Sequence, residues 1–320
     1  MSSGQELIGE PGGRIAPARE LVNTFEFEAM ARRSLPAAAF AEIAGSERDA
    51  FERITLRPRM MVNTMHLDLT AEIFGQRLFA PIIVGPVSEQ KRFHPEGELA
   101  TARGAAAAKT AMVVAGQSSF PIREIAAQAS DALWYQVSPE PGTDAQRRQI
   151  DQAIEAGCKA LCITARGVDW SAIDALRKGI KVPCLIKGIL TPEEARAAVA
   201  AGIDGLVVSN YGGPAGASLA APIEVLPAIA EAVAGKVPIL IDGSFRRGSD
   251  ILKALALGAR AVLLGRPVLW ALAAYGSAGV QAILEMLQTE LGRDMVMCGK
   301  PNLKSLDPSL VKIHARSPRV

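Results

Sequence analysis

The chain has 320 residues, 49% of them apolar and 21% charged, which supplies material for a large core and excludes disorder over most of its length. At roughly 150 residues per domain the length fits two domains, or one α/β barrel of about 250 residues with extensions. Lys and Arg number 35 against 33 Asp and Glu, a net charge of +2, so no global field draws in nucleic acid or an anionic membrane, and any anion site is local.

Residues 1–24, with Pro11, Gly12 and Gly13 in their middle, read as a flexible N-terminal extension, and 25–320 as one domain. No charged-then-apolar leader is read at the start, and no run is read as reaching the roughly 18 apolar residues of a membrane helix, so the expectation is a soluble, cytoplasmic protein. Residues 24–43 predict one or two capping helices around Pro36, and 55–78 a short hairpin that closes the bottom of the domain.

From about residue 80, short β-branched or Leu-rich runs alternate with Ala-rich amphipathic stretches, the pattern of parallel strands covered by helices. The runs are PIIVGP (81–86), AMVVAG (111–116), LWYQVS (133–138), ALCITA (160–165), CLIKG (184–188), GLVVSN (205–210), PILIDG (238–243) and AVLLGR (261–266). Eight such units predict an α/β fold, a closed (β/α)8 TIM barrel. The open doubly wound alternative needs a GxGxxG turn after its first strand, and Gly85, Pro86, Val87 and Ser88 do not supply one.

Cys158, Cys162, Cys184 and Cys298 lack CxxC or metal-ligand spacing and read as reduced core thiols; His66, His94 and His314 are too scattered to bind a metal. In barrels of this kind the chemistry lies at the C-terminal strand ends, and a phosphate commonly binds at the loops after strands seven and eight. Here those loops carry Asp242, Gly243, Ser244, Phe245, Arg246 and Arg247, then Gly265, Arg266 and Pro267. Small residues free backbone N–H groups and arginines offer forked contacts, so the pair of loops predicts a phosphate-bearing ligand. Gln136, Thr164, Lys187, Ser209 and Asn210 end the other runs. Lys187 reads either as a cation in the barrel mouth, beside an anionic ring or forming a Schiff base, or as a side chain snorkelling to water.

The ordered segments LRPR (56–59), HPEGE (94–98), ATAR (100–103), LIKG (185–188), VSN (208–210) with Gly212 and Gly213, IDG (241–243), RRG (246–248), KALALG (253–258) and GRP (265–267) carry a likeness. With them the chain resembles the FMN-dependent 2-hydroxy-acid oxidases and dehydrogenases. The resemblance implies bound FMN, with Gln136 and Thr164 at the isoalloxazine edge, Lys187 near its N1 and O2, and Ser209 against the ring. It assigns Asp242, Gly243, Arg246, Gly265 and Arg266 to the ribityl phosphate end, and it suggests a homotetramer or larger assembly.

The substrate side departs from that pattern. The family's Ser-Asn-His-Gly-Gly-Arg reads Ser209, Asn210, Tyr211, Gly212, Gly213, Pro214 here, so the base and the carboxylate clamp are replaced by groups that do neither job. Gln117, Ser138 and Arg166 stand where the family has other substrate contacts, and only a short segment follows strand four, which leaves the mouth more open. Three readings stay open: a redox enzyme on an altered small-molecule substrate, with Lys187 and Tyr211 as its catalytic candidates; a non-catalytic FMN-binding or partner-binding homologue; and an FMN-dependent isomerase.

Overall fold

The computed structural model describes residues 14–45, 48–129, 132–139, 144–165, 169–211 and 220–315. All eight expected runs form strands: β1 (Ile82–Val84), β2 (Ala111–Ala115), β3 (Leu133–Val137), β4 (Leu161–Thr164), β5 (Cys184–Ile189), β6 (Gly205–Val208), β7 (Ile239–Ile241) and β8 (Ala261–Leu264). Each pairs in parallel with the next, and β8 returns to β1 with Leu263 opposite Ile83, closing the barrel.

One buried cluster contains Ile83, Val113, Trp134, Cys162, Leu185, Val207, Leu240 and Leu263, at most one or two from any strand. These are the inward positions, and the two-residue period of a strand then fixes which residues face the axis one step nearer the C-terminal mouth. Two residues beyond Trp134, Cys162, Leu185, Val207, Leu240 and Leu263 stand Gln136, Thr164, Lys187, Ser209, Asp242 and Gly265. The same alternation that buries the barrel core therefore aims the polar strand ends at one point.

The bottom of the barrel is closed by a hairpin, as expected, but a shorter one. It comprises Ala71–Ile73 and Gln76–Leu78, and the Trp134 indole N–H donates to the Gln76 side chain from inside the barrel. Thr55 and Leu56, read as the start of that hairpin, instead belong to the strand Ile54–Leu56, which pairs antiparallel with Val311–Ile313 near the C-terminus. A short edge strand takes whichever partner supplies a ladder, and here the partner lies more than 250 residues away in sequence, beyond the reach of local pattern.

The helix Arg266–Met297 overturns one expectation: it holds a stretch long and apolar enough to span a membrane by length and composition. Small Ala and Gly residues spread among Leu and Val hide such a run from inspection. Much of its apolar surface is covered, with Trp270, Leu272, Val280, Ile283 and Leu287 fully buried, and Gly276 breaks its backbone at φ 58°. Helices Thr24–Ser34 and Ala37–Ile43 pack on it. Asn23 caps the first by accepting from the Phe25 and Glu26 N–H groups, and the Trp270 indole donates to the Ile43 carbonyl at 2.7 Å. Part of the segment read as a flexible extension is tied down too: Ala16 and Leu21 are buried, and the Tyr275 hydroxyl donates to the Ala16 carbonyl at 2.6 Å.

Candidate active site

The centre of the mouth is Lys187. It stands at a register shift, since Lys187 pairs with Val207 and Ile189 with Val208, with Gly188 at φ 115° absorbing the extra residue. Such a bulge re-aims the neighbouring side chain. The buried Lys187 ammonium lies 2.8 Å from an Asp242 carboxylate oxygen and donates to the Ser209 hydroxyl at 2.6 Å. It does not snorkel to solvent; it is a held, paired cation. The other Asp242 oxygen, Oδ1, is buried without a hydrogen-bond partner among the described residues. Such an acceptor costs about 1–3 kcal/mol unless a donor reaches it.

Gln136 and Thr164 join the same surface, the Gln136 amide donating to the Thr164 hydroxyl at 2.9 Å and to the Ser138 hydroxyl at 3.2 Å. Tyr211 has φ 57°, a left-handed backbone that a side chain adopts at a cost. Its hydroxyl donates to the Lys187 carbonyl at 3.3 Å, its ring centroid lies 5.2 Å from the Lys187 ammonium, and its N–H donates to Ser209 Oγ. Gln117 is exposed, and its carbonyl accepts from the Glu89 N–H at 3.0 Å. Arg166, Gly212, Gly213 and Pro214 lie outside the described residues.

The second pole of the site is the pair of loops after β7 and β8. Arg246 is buried, its Nη2 has no hydrogen-bond partner among the described residues, and its guanidinium lies 4.5 Å from the centroid of the Trp270 ring. Burial, followed by the nearby Arg266 charge, pushes the Arg246 guanidinium down to about 9. A buried cation pressed by a second cation and holding an unused donor is a site for an anion. Arg247 turns the other way, to a two-oxygen contact with Glu290, whose carboxylate also accepts from the Gly248 N–H at 2.7 Å. A Cβ on Gly248 would fall 2.3 Å from the Leu291 nitrogen, so only glycine lets this turn approach the long helix. Ser244 takes the left-handed backbone, at φ 59°. Asp242, grouped by sequence with the phosphate end, bridges both poles: it pairs with Lys187, and its charge also acts on Arg266.

The two poles fit FMN: a cationic, small-residue loop pair for a phosphate, and a lysine cation with hydrogen-bonding side chains for a ring edge. The orphaned Arg246 Nη2 and Asp242 Oδ1 are the donor and the acceptor that such a ligand would satisfy.

Sequence reasoning passed over the groups that hold these loops. Glu98, fully buried in the HPEGE segment, accepts from the Gln90 and Ser119 N–H groups, both at 3.0 Å, and so ties together the loops after β1 and β2. Asp250 accepts from the N–H groups of Arg246 and Arg247, and the Thr24 hydroxyl donates to the Arg246 carbonyl. The signal for Asp250 was present, since an acid in the first turn of a predicted helix is a capping signature.

An eight-stranded barrel with a cationic corner after β7 and β8 and a lysine in its mouth defines the class as a barrel protein built to take an anionic ligand. Comparison with known proteins gives the family. The FMN-dependent dehydrogenase family matches residues 31–167 and 164–313, and the chain belongs to that family of FMN-dependent, 2-hydroxy-acid oxidase-like enzymes. A peroxisomal (S)-2-hydroxyacid oxidase of Arabidopsis thaliana is 34% identical over 92% of this chain and 97% of its own length. An L-lactate oxidase of Nostoc sp. is 34% identical over 91% and 98%. The crystal structure of mandelate oxidase with (S)-4-hydroxymandelic acid superposes with a TM-score of 0.88, at 33% identity, over 92% of this chain and all of that one. The Arabidopsis alignment runs to 351 positions, more than the 320 residues of this chain, so that relative carries segments absent here.

Proposed function

We propose that this chain is an FMN-dependent oxidoreductase whose small-molecule substrate is not handled as a 2-hydroxy acid. The observation that carries the reading is the disposition of Tyr211, whose hydroxyl lies 3.3 Å from the Lys187 carbonyl. That carbonyl also accepts the Ala165 N–H at 2.9 Å, so the phenol is seated on backbone. Phenols titrate near about 10, which makes an anchored tyrosine a poor base at neutral pH. Pro214, at the position of the family's carboxylate clamp, has no charge or donor with which to bind an acid.

On this reading Arg246, Arg266, Gly243 and Gly265 hold the phosphate of FMN, and Gln136, Thr164 and Ser209 bind the edge of its ring. Lys187 keeps a positive charge beside that edge, with Asp242 and Ser209 fixing its position. Bound FMN supplies the hydride acceptor. Tyr211, Gln117 and Ser138 line the substrate side, where Tyr211 presents a ring face in place of a proton acceptor.

The test is an anaerobic visible spectrum of the flavin-loaded protein during titration with a panel of 2-hydroxy acids, then with uncharged alcohols and 2-hydroxy amides. The flavin is expected to stay oxidised with the acids and to bleach with a member of the second panel. Bleaching by an acid with stoichiometric 2-oxo acid overturns the reading. A flavin that no donor reduces points instead to the non-catalytic homologue.

A further inference from the structure

A third arginine stands at the phosphate corner, and it comes from outside the barrel. Arg48 precedes the short helix Asp49–Glu52, in the N-terminal segment. Its Nη2 lies 2.9 Å from Asp250 Oδ2 and donates to Oδ1 at 3.1 Å. Asp250 Oδ2 is the atom that accepts the N–H groups of Arg246 and Arg247, at 2.9 and 3.0 Å. One carboxylate oxygen therefore links the Arg48 guanidinium to the backbone of the loop that carries Arg246.

The other terminal nitrogen of Arg48, Nη1, is buried and, like Arg246 Nη2, has no hydrogen-bond partner among the described residues. Two orphaned guanidinium nitrogens in one corner, with the Arg48 and Arg266 charges both pressing on Arg246, are uncompensated donors that a multi-oxygen anion can satisfy together. The Arg48 side chain is also fixed in place. Its guanidinium carbon lies 5.3 Å from the Phe25 ring centroid and 5.7 Å from that of Phe51, and Phe51 packs edge-on against Phe245 at 5.0 Å. Phe245 is the residue before Arg246, so ring packing and ion pairing hold Arg48 against the same loop.

We propose that Arg48 is a third phosphate-binding cation of the cofactor site, delivered by the N-terminal segment. This rests on the placement of the FMN phosphate at Arg246 and Arg266, to which it adds a residue outside the barrel. Asp250 has two tasks in this arrangement: it orders the Arg246 loop, and it orients Arg48, which in turn cancels a carboxylate that would otherwise repel the phosphate.

The experiment compares FMN with riboflavin, which lacks the phosphate, by fluorescence titration of the full chain stripped of flavin. In Arg48→Met, FMN affinity is expected to fall about ten- to a hundredfold, the range for losing one charge-assisted contact, while riboflavin affinity stays within about twofold. Arg48→Lys should recover part of the loss. If Arg48→Met does not fold, Arg48→Gln, which keeps an N–H donor for Asp250 and loses the charge, is measured in the same way. Equal losses for both flavins, or no loss for FMN, overturn the proposal and leave Arg48 a structural anchor. A wild-type chain that binds riboflavin as tightly as FMN would instead overturn the phosphate placement itself.

Discussion

The Tyr211 hydroxyl occupies the space in which a side chain at position 188 would begin: a Cβ built on Gly188 falls 1.8 Å from its oxygen. The bulge that aims Lys187 and the Tyr211 side chain are thus a matched pair. Gly188→Ala must expel the Tyr211 ring and also place a side chain at φ 115°. A loss of about 2–4 kcal/mol is expected, from strain and overpacking together. Chemical denaturation measures it; Tyr211→Phe, which removes the hydrogen bond to the Lys187 carbonyl, should cost about 1 kcal/mol.

Lys187 and Asp242 form a buried pair whose members need each other. Lys187→Met leaves the Asp242 carboxylate unpaired and should destabilise the flavin-free protein by about 3 kcal/mol. Adding Asp242→Asn removes the stranded charge, so the double variant should be more stable than Lys187→Met alone. A double variant as unstable as the sum of the two singles would show that the pair is not coupled.

The Arg246 corner sets a pH and anion dependence. Its guanidinium is held down at about 9, so above that pH the folded chain binds fewer protons than the unfolded one, and this group's contribution to stability rises with pH. Anion binding favours the charged form, so phosphate or FMN should bind best below about 9 and more weakly above it. Phosphate at 100 times its dissociation constant should add about 2.7 kcal/mol to the stability of the flavin-free protein. Thermal unfolding with and without phosphate reads this out, and Arg246→Met should abolish the increment.

The cysteines give an independent check on the barrel. All four are buried, and burial raises the Cys158 and Cys162 thiols to about 12 and Cys184 to about 11. Thiolates, the reactive form, are therefore scarce at pH 8. A thiol reagent should find almost no reactive group in the native protein and four after unfolding. Rapid reaction of any of the four in the folded state would contradict its burial.

Glu290 tests the turn that presents Arg246. It accepts from Arg247 and from the Gly248 N–H, and Glu290→Gln weakens both contacts at a buried position. A cost of about 1–3 kcal/mol is expected, with FMN affinity lowered because the Arg246 loop loses its support.

The eight strands were legible because each is a short apolar run between helix-forming stretches, and period two alone places Gln136, Thr164, Lys187, Ser209, Asp242 and Gly265 on the inward face. Three features were not legible for a single reason: their partners are remote in sequence. Ile54–Leu56 pairs with Val311–Ile313, the indole of Trp270 donates to Ile43, and Arg48 meets Asp250 across 202 residues. No local pattern encodes such contacts.

Residue type and spacing by themselves determined the barrel and the family, since each is written in runs of a few neighbouring residues. Only the tertiary structure decided that Lys187 is a paired cation, that Arg246 faces inward while Arg247 turns to Glu290, and that the Tyr211 hydroxyl rests on Gly188. Those outcomes depend on which charges burial brings within hydrogen-bonding distance, and burial is a property of the closed barrel.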